Sequence, residues 1–140
     1  MRGYNTDIIG FRDSIARFQM LNGALILGTG GAARAVAFAL GELQIPYVFV
    51  SRHPSSLNNS IGYCDIDSAI LRKFPLIINA TPVGLNSNLD KPSLPYELLT
   101  SNNFLYDLIY SPAETAFLRE GKLRGCATEN GLKMLYIQAE

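Results

Sequence analysis

Ala24-Leu25-Ile26-Leu27-Gly28-Thr29-Gly30-Gly31-Ala32-Ala33-Arg34 is the stretch on which the fold turns. Four apolar residues in a row read as a short strand buried on both faces. The chain then runs through a glycine-rich turn into an Ala-rich helix from Gly31 to Leu43. Upstream, Asn22-Gly23 marks a turn, and downstream Ile45-Pro46 ends the helix. Tyr47-Val48-Phe49-Val50 is a second strand, stopping at Ser51-Arg52-His53-Pro54. Pro75 to Asn79 and Phe104 to Asp107 give a third and a fourth.

Helical patterns alternate with these runs. Asp7 to Met20 reads as an opening helix, with Ile8, Ile9, Phe11, Ile15 and Phe18 at near-helical spacing. Pro112 to Leu123 reads as a helix with proline in its first turn, where the missing N–H does no harm. Gly131 to Glu140 closes the chain as a last helix. Between Pro82 and Pro95 lies a loop rich in Asn, Ser, Asp and Pro, of a length that is either functional or an ordinary surface excursion. The alternation predicts an α/β domain: a Rossmann-like, doubly wound, mostly parallel sheet with helices on both faces.

Gly28-x-Gly30-x-x-Ala33, placed between a strand and a helix, has the context of a dinucleotide-binding loop. Gly28 permits the tight turn, and Gly30 lets backbone amides approach a pyrophosphate with no Cβ in the way. Ala33 keeps the helix close to the strand, and the positive helix end faces the anion. A strand-to-helix turn also wants glycine for steric reasons alone. The end of the second strand, 21 residues beyond Gly30, carries Ser51-Arg52-His53 in place of the acid that would bind a ribose 2′-hydroxyl. Ser51 can donate to a 2′-phosphate and Arg52 can pair with it, so the pattern selects NADP over NAD. The plainer reading of Arg52 is a solvated charge at a strand end.

Composition narrows the rest. The chain has 140 residues, the size of one domain, and its 48% apolar content fills a core. Twelve basic residues balance twelve acidic ones, which argues against nucleic acid and against a polybasic membrane surface as partners. No apolar run approaches the roughly 20 residues of a membrane span. Cys64 and Cys126 lack metal-ligand spacing and read as inert small hydrophobes, and a lone His53 makes no zinc set. No metal is expected, and a cytoplasmic location is.

Five further motifs stand in register with the glycine loop: Gly3-Tyr4-Asn5-Thr6-Asp7, Ser51-Arg52, Asn79-Ala80-Thr81-Pro82-Val83-Gly84, Asp107-Leu108-Ile109-Tyr110-Ser111-Pro112-x-x-Thr115, and Gly131-Leu132-x-Met134-Leu135-x-x-Gln138. In that order and spacing the chain closely resembles shikimate dehydrogenase. The resemblance implies NADP-dependent interconversion of 3-dehydroshikimate and shikimate, in a cleft between an N-terminal substrate domain and a C-terminal Rossmann domain. It further implies that residues 1–21 are the linking helix and 22–140 the NADP-binding domain. The family's Ser-x-Ser clamp and catalytic lysine find no counterpart here, both ends look trimmed, and the chain alone is expected to be inactive.

Residue by residue, Asp7 matches the catalytic aspartate, and Tyr110 and Gln138 match positions that reach the substrate. Gly28, Thr29, Gly30, Gly31 and Ala32 match the pyrophosphate loop. Ser51, Arg52 and His53 stand where the family usually has Asn-Arg-Thr, and Ser56 stands where many members carry a second basic residue. Thr81, Leu108 and Gly131 match cofactor positions, the last two at the nicotinamide. Plainer roles compete: Thr6 or Asp7 caps the opening helix, Tyr110 is a core aromatic, and Asp107 fixes local backbone rather than moving protons. A quinate/shikimate-type paralogue, a non-catalytic dinucleotide-binding module and a homodimer all stay open.

Overall fold

The computed structural model describes residues 22–54, 59–84, 89–109 and 114–130. Six strands form one sheet: β1 (Ala24–Leu27), β2 (Tyr47–Ser51), β3 (Ser60–Gly62), β4 (Leu76–Asn79), β5 (Phe104–Asp107) and β6 (Ala127–Asn130). Among the described residues three α-helices accompany them: α1 (Gly31–Glu42), α2 (Ser68–Lys73) and α3 (Ala116–Leu123). The strand order is β3-β2-β1-β4-β5-β6, and every pairing is parallel. The chain winds outward from β1 to β3, returns to lie beside β1 as β4, and winds out the other way. That reversal leaves a crevice at the carboxyl ends of β1 and β4.

Alternation within the strands builds a core on each face. Ala24, Ile26, Leu76, Ile78, Phe104 and Tyr106 turn toward α1, whose Ala33, Val36, Ala37 and Leu40 recur at helical spacing and are buried against them. Leu25, Leu27, Val50, Ile77 and Leu105 turn the other way, toward Leu71 of α2 and Phe117 and Leu118 of α3. β1, β4 and β5 are buried throughout, as continuous apolar runs in a parallel sheet should be. A fully buried side chain such as Leu40 contributes about 2 kcal/mol by leaving water.

Three elements lie outside the sequence reading: β3, α2 and β6. Another expectation is corrected. The helix expected from Pro112 begins at Ala116, because the Thr115 side chain accepts the Leu118 N–H and sets the cap there. Cys126 is buried and its Sγ donates to the Thr100 carbonyl, and burial pushes its thiol pKa up. Cys64 is exposed, contrary to its reading as a small hydrophobe. The opening helix from Asp7 and the closing helix from Gly131 fall outside the described residues.

Candidate functional site: a cleft at the carboxyl edge

Register brings Leu27, Val50, Asn79 and Asp107 level across the sheet. The loops that follow are tied to neighbouring strands: Gly28 N–H donates to Val50 O at 2.9 Å, Ala80 N–H to Leu27 O at 3.0 Å, and Leu108 N–H to Asn79 O at 3.2 Å. A cleft of about 590 Å³ opens above them. Gly28, Thr29 and Gly30 line it from β1, and Ser51, Arg52 and His53 from β2. Ala80, Thr81, Pro82 and Val83 line it from β4, with Tyr63 and the segment Lys91-Pro92-Ser93 completing the wall.

The two expected loop glycines differ in their physical reason. Gly28 has φ +111°, and a Cβ there would stand 3.1 Å from Thr81 Cγ2, so the fold itself demands glycine. Gly30 has φ −83°, and a Cβ on it would meet nothing within 4 Å. No contact among the described residues explains Gly30. The space beside it is free for a ligand. It caps α1 without a side-chain hydrogen bond, and the first turn of α1 holds no carboxylate, so the positive helix end is left uncompensated. Gly31 and Ala32 sit exposed in that turn, outside the cleft lining.

At the β2 end, His53 N–H donates to Ser51 Oγ at 3.0 Å, which folds the strand end into a tight corner. Arg52 and His53 are exposed. Among the described residues that line the cleft there is no Asp or Glu, whereas Arg52 and Lys91 are cationic. Lys91 is partly neutralised, since its Nζ lies 3.0 Å from Glu120 Oε2. The balance still favours an anion.

Beneath the floor runs a buried polar network. Asp107 Oδ1 accepts from Ile109 N–H at 3.0 Å and from Asn79 Nδ2 at 3.2 Å, and Oδ2 accepts from Thr115 Oγ1 at 2.7 Å. Asn79 Oδ1 in turn accepts from both Thr81 N–H and Thr81 Oγ1, at 3.1 and 2.6 Å. Asn79 Nδ2 also donates to Val83 O, and Val83 N–H to Thr81 Oγ1, so the turn after β4 is fixed by side chains. Burial raises the Asp107 pKa above its ordinary value, against the opposing pull of its three donors. Asp107 thus holds backbone, as read from the sequence.

Thr81 lines the cleft. Leu108 is half-buried and packs against the α1-side core instead of lining the cleft. Asp7, Tyr110, Gly131, Gln138 and Ser56 lie outside the described residues. Tyr63, Lys91 and Ser93 were missed. They carry no motif, and only the length of the Pro82–Pro95 loop pointed toward the last two. No group of His, Cys, Asp and Glu among the described residues could hold a metal, and no described helix is long and apolar enough to cross a membrane.

Sheet order and glycine turn define a Rossmann-type domain, with an anion-favouring cleft at its carboxyl edge. No family model matches the chain. It is nevertheless similar to shikimate dehydrogenases: it is 39% identical to a shikimate dehydrogenase (NADP(+)) of Thermus thermophilus, over 97% of this chain and 53% of that one. The crystal structure of a Thermus thermophilus shikimate 5-dehydrogenase in complex with NADP(H) and shikimate superposes with a TM-score of 0.78 at 35% identity, covering 95% of this chain and 52% of that one. The ligand-free 5-ketofructose reductase of a Gluconobacter species is also similar, with a TM-score of 0.77 at 28% identity, over 95% of this chain and 54% of that one. The chain spans about half the length of the curated relatives it matches.

Proposed function

We propose that this chain is the NADP-binding, C-terminal domain of a cytoplasmic shikimate dehydrogenase, with residues 1–21 linking it to a substrate domain and 22–140 forming the nucleotide domain. One observation carries the reading. A glycine turn with unexplained open space at Gly30 leads into a cleft whose described lining holds no carboxylate and ends in Ser51-Arg52.

The residues present fit NADP. The helix end of α1 and the amides after Gly28 hold the pyrophosphate. Ser51 Oγ, still carrying its proton while accepting from His53, donates to the 2′-phosphate, and Arg52 pairs with it. The Asn79–Thr81 turn supports the nicotinamide side. When bound, the cofactor supplies the hydride that reduces a ketone. By the resemblance to shikimate dehydrogenases, Asp7 would serve with a lysine of a substrate domain in moving the proton, and Tyr110 and Gln138 would serve substrate binding. The 140-residue chain on its own binds NADP and does not turn over 3-dehydroshikimate.

A second reading concerns substrate. The likeness to 5-ketofructose reductase supports a paralogue that reduces another polyhydroxylated ketone. Calorimetric titration with NADP and then NAD tests the first reading. Preference for NADP supports it, and binding of neither overturns it. Shikimate-dependent reduction of NADP by this chain alone would overturn the assignment of inactivity.

A further inference from the structure

The sheet order sets out a path along the carboxyl edge. From the glycine turn after β1 the next strand outward is β2, ending at Ser51-Arg52-His53, and the next is β3, after which the chain turns at Tyr63. A dinucleotide whose pyrophosphate lies at Gly30 and whose 2′-phosphate lies at Arg52 continues toward β3 with its base.

Tyr63 lines the cleft from the turn after β3. Parallel strands ordinarily need a crossover of about a dozen residues or more, most often a helix. Residues 52–59 are all that join β2 to β3 here. β3 pairs beside β2, and the turn after it brings Tyr63 to the cleft.

We infer that Tyr63 is the wall on which the adenine ring of the cofactor stacks, with Arg52 on the ribose side of it. The inference rests on the NADP reading above. Among the described residues lining the cleft, Tyr63 is the one Phe, Tyr or Trp. It is half-buried, packed on the apolar cluster of the α2 and α3 face, so its ring is held while one side borders the cleft. The corner carrying it is braced. Gly62 N–H donates to Asp65 Oδ2 at 2.8 Å, and Pro54 lies over Gly62, whose Cβ position is 3.5 Å from Pro54 Cγ. Burial raises the Tyr63 hydroxyl pKa while the Arg52 charge pulls it back, which fits a guanidinium close to the ring. A flat aromatic face costs little entropy to present and gives stacking with any base.

The test is titration of the 140-residue chain and its Tyr63→Phe and Tyr63→Leu variants with NADP and with 2′,5′-ADP, alongside intermolecular NOEs between tyrosine ring protons and adenine H2 and H8. The expected result is wild-type affinity for Y63F and a loss of about tenfold or more for Y63L on both ligands. Thermal melting of Y63L should be near that of the wild type, and ring-to-adenine NOEs should be present in the wild type. NADP binding without those NOEs overturns the assignment even if Y63L does not fold. Equal affinity of wild type and Y63L overturns it too. A wild-type chain that binds neither ligand overturns the cofactor reading itself, an outcome distinct from both.

Discussion

Thr115 Oγ1 donates a 2.7 Å hydrogen bond to Asp107 Oδ2 and accepts the Leu118 N–H at 3.3 Å. One fully buried hydroxyl therefore caps α3 and holds the carboxylate that holds Asn79, which in turn fixes the Thr81 turn on the cleft floor. Helix start and cleft shape are coupled through a single oxygen.

Thr115→Ala should lower unfolding stability by about 2–4 kcal/mol: about 1 for the lost cap and about 1–3 for a buried carboxylate deprived of a donor. Thr115→Ser keeps the hydroxyl and should cost much less. Urea unfolding of the two variants checks this, and equal losses would mean that packing of the Thr115 methyl, not its hydroxyl, carries the effect.

Asp107 gives a pH dependence whose sign follows from its raised pKa. The native state holds its proton to higher pH than the unfolded chain, where the ordinary value is 3.8. Its contribution to stability is fully present below that value and is lost as pH rises through the native pKa. The stability of the wild type relative to Asp107→Asn should therefore fall as pH increases across the carboxylate range. Urea melts at a series of pH values decide it, and a difference that grew with pH would reverse the assignment.

The two loop glycines should separate stability from binding. Gly28→Ala forces a side chain into φ +111° and against Thr81, and should cost about 1–3 kcal/mol of stability. Gly30→Ala meets nothing within 4 Å and should cost no more than about 1 kcal/mol, the difference between glycine and alanine at a helix cap. Its effect should fall on NADP affinity, with a loss of about tenfold or more as the methyl enters the pyrophosphate space. Unchanged NADP binding in Gly30→Ala would make the loop a plain strand-to-helix turn.

How much of this was legible depended on how strongly each segment is buried. β1, α1, β2, β4 and β5 are apolar runs or a clear helical repeat, and their sequences announce them. β3 is Ser60-Ile61-Gly62 and β6 is Ala127-Thr128-Glu129-Asn130. Neither is buried throughout, and both lie at sheet edges, so neighbouring strands rather than their own pattern make them strands. Pro112 misled the reading of α3, because proline suits any first turn, whereas Thr115 forms the actual cap through its side chain. At the site, residues in the glycine motif and at the β2 end could be found by position. Tyr63 could not, because it reaches the cleft only through the pairing of β3 with β2, and β3 has no apolar run of its own to announce it.

Under the proposed NADP reading, Arg52 is the residue that separates NADP from NAD. It is exposed at the end of β2, in a cleft with no carboxylate among its described lining residues, and Ser51 beside it is fixed by His53 N–H. A guanidinium on a phosphate contributes only where the phosphate exists, so Arg52→Ala should cost NADP about 1.5–3 kcal/mol, the worth of a charged hydrogen bond. NAD lacks that group and should lose little. Calorimetric dissociation constants for both nucleotides, on wild type and variant at one moderate salt concentration, give the four numbers needed. Screening matters because the site is open, and the NADP preference should shrink as salt rises. Equal losses for NAD and NADP would place Arg52 on a part the two cofactors share and return the 2′-phosphate site to be found elsewhere in the cleft.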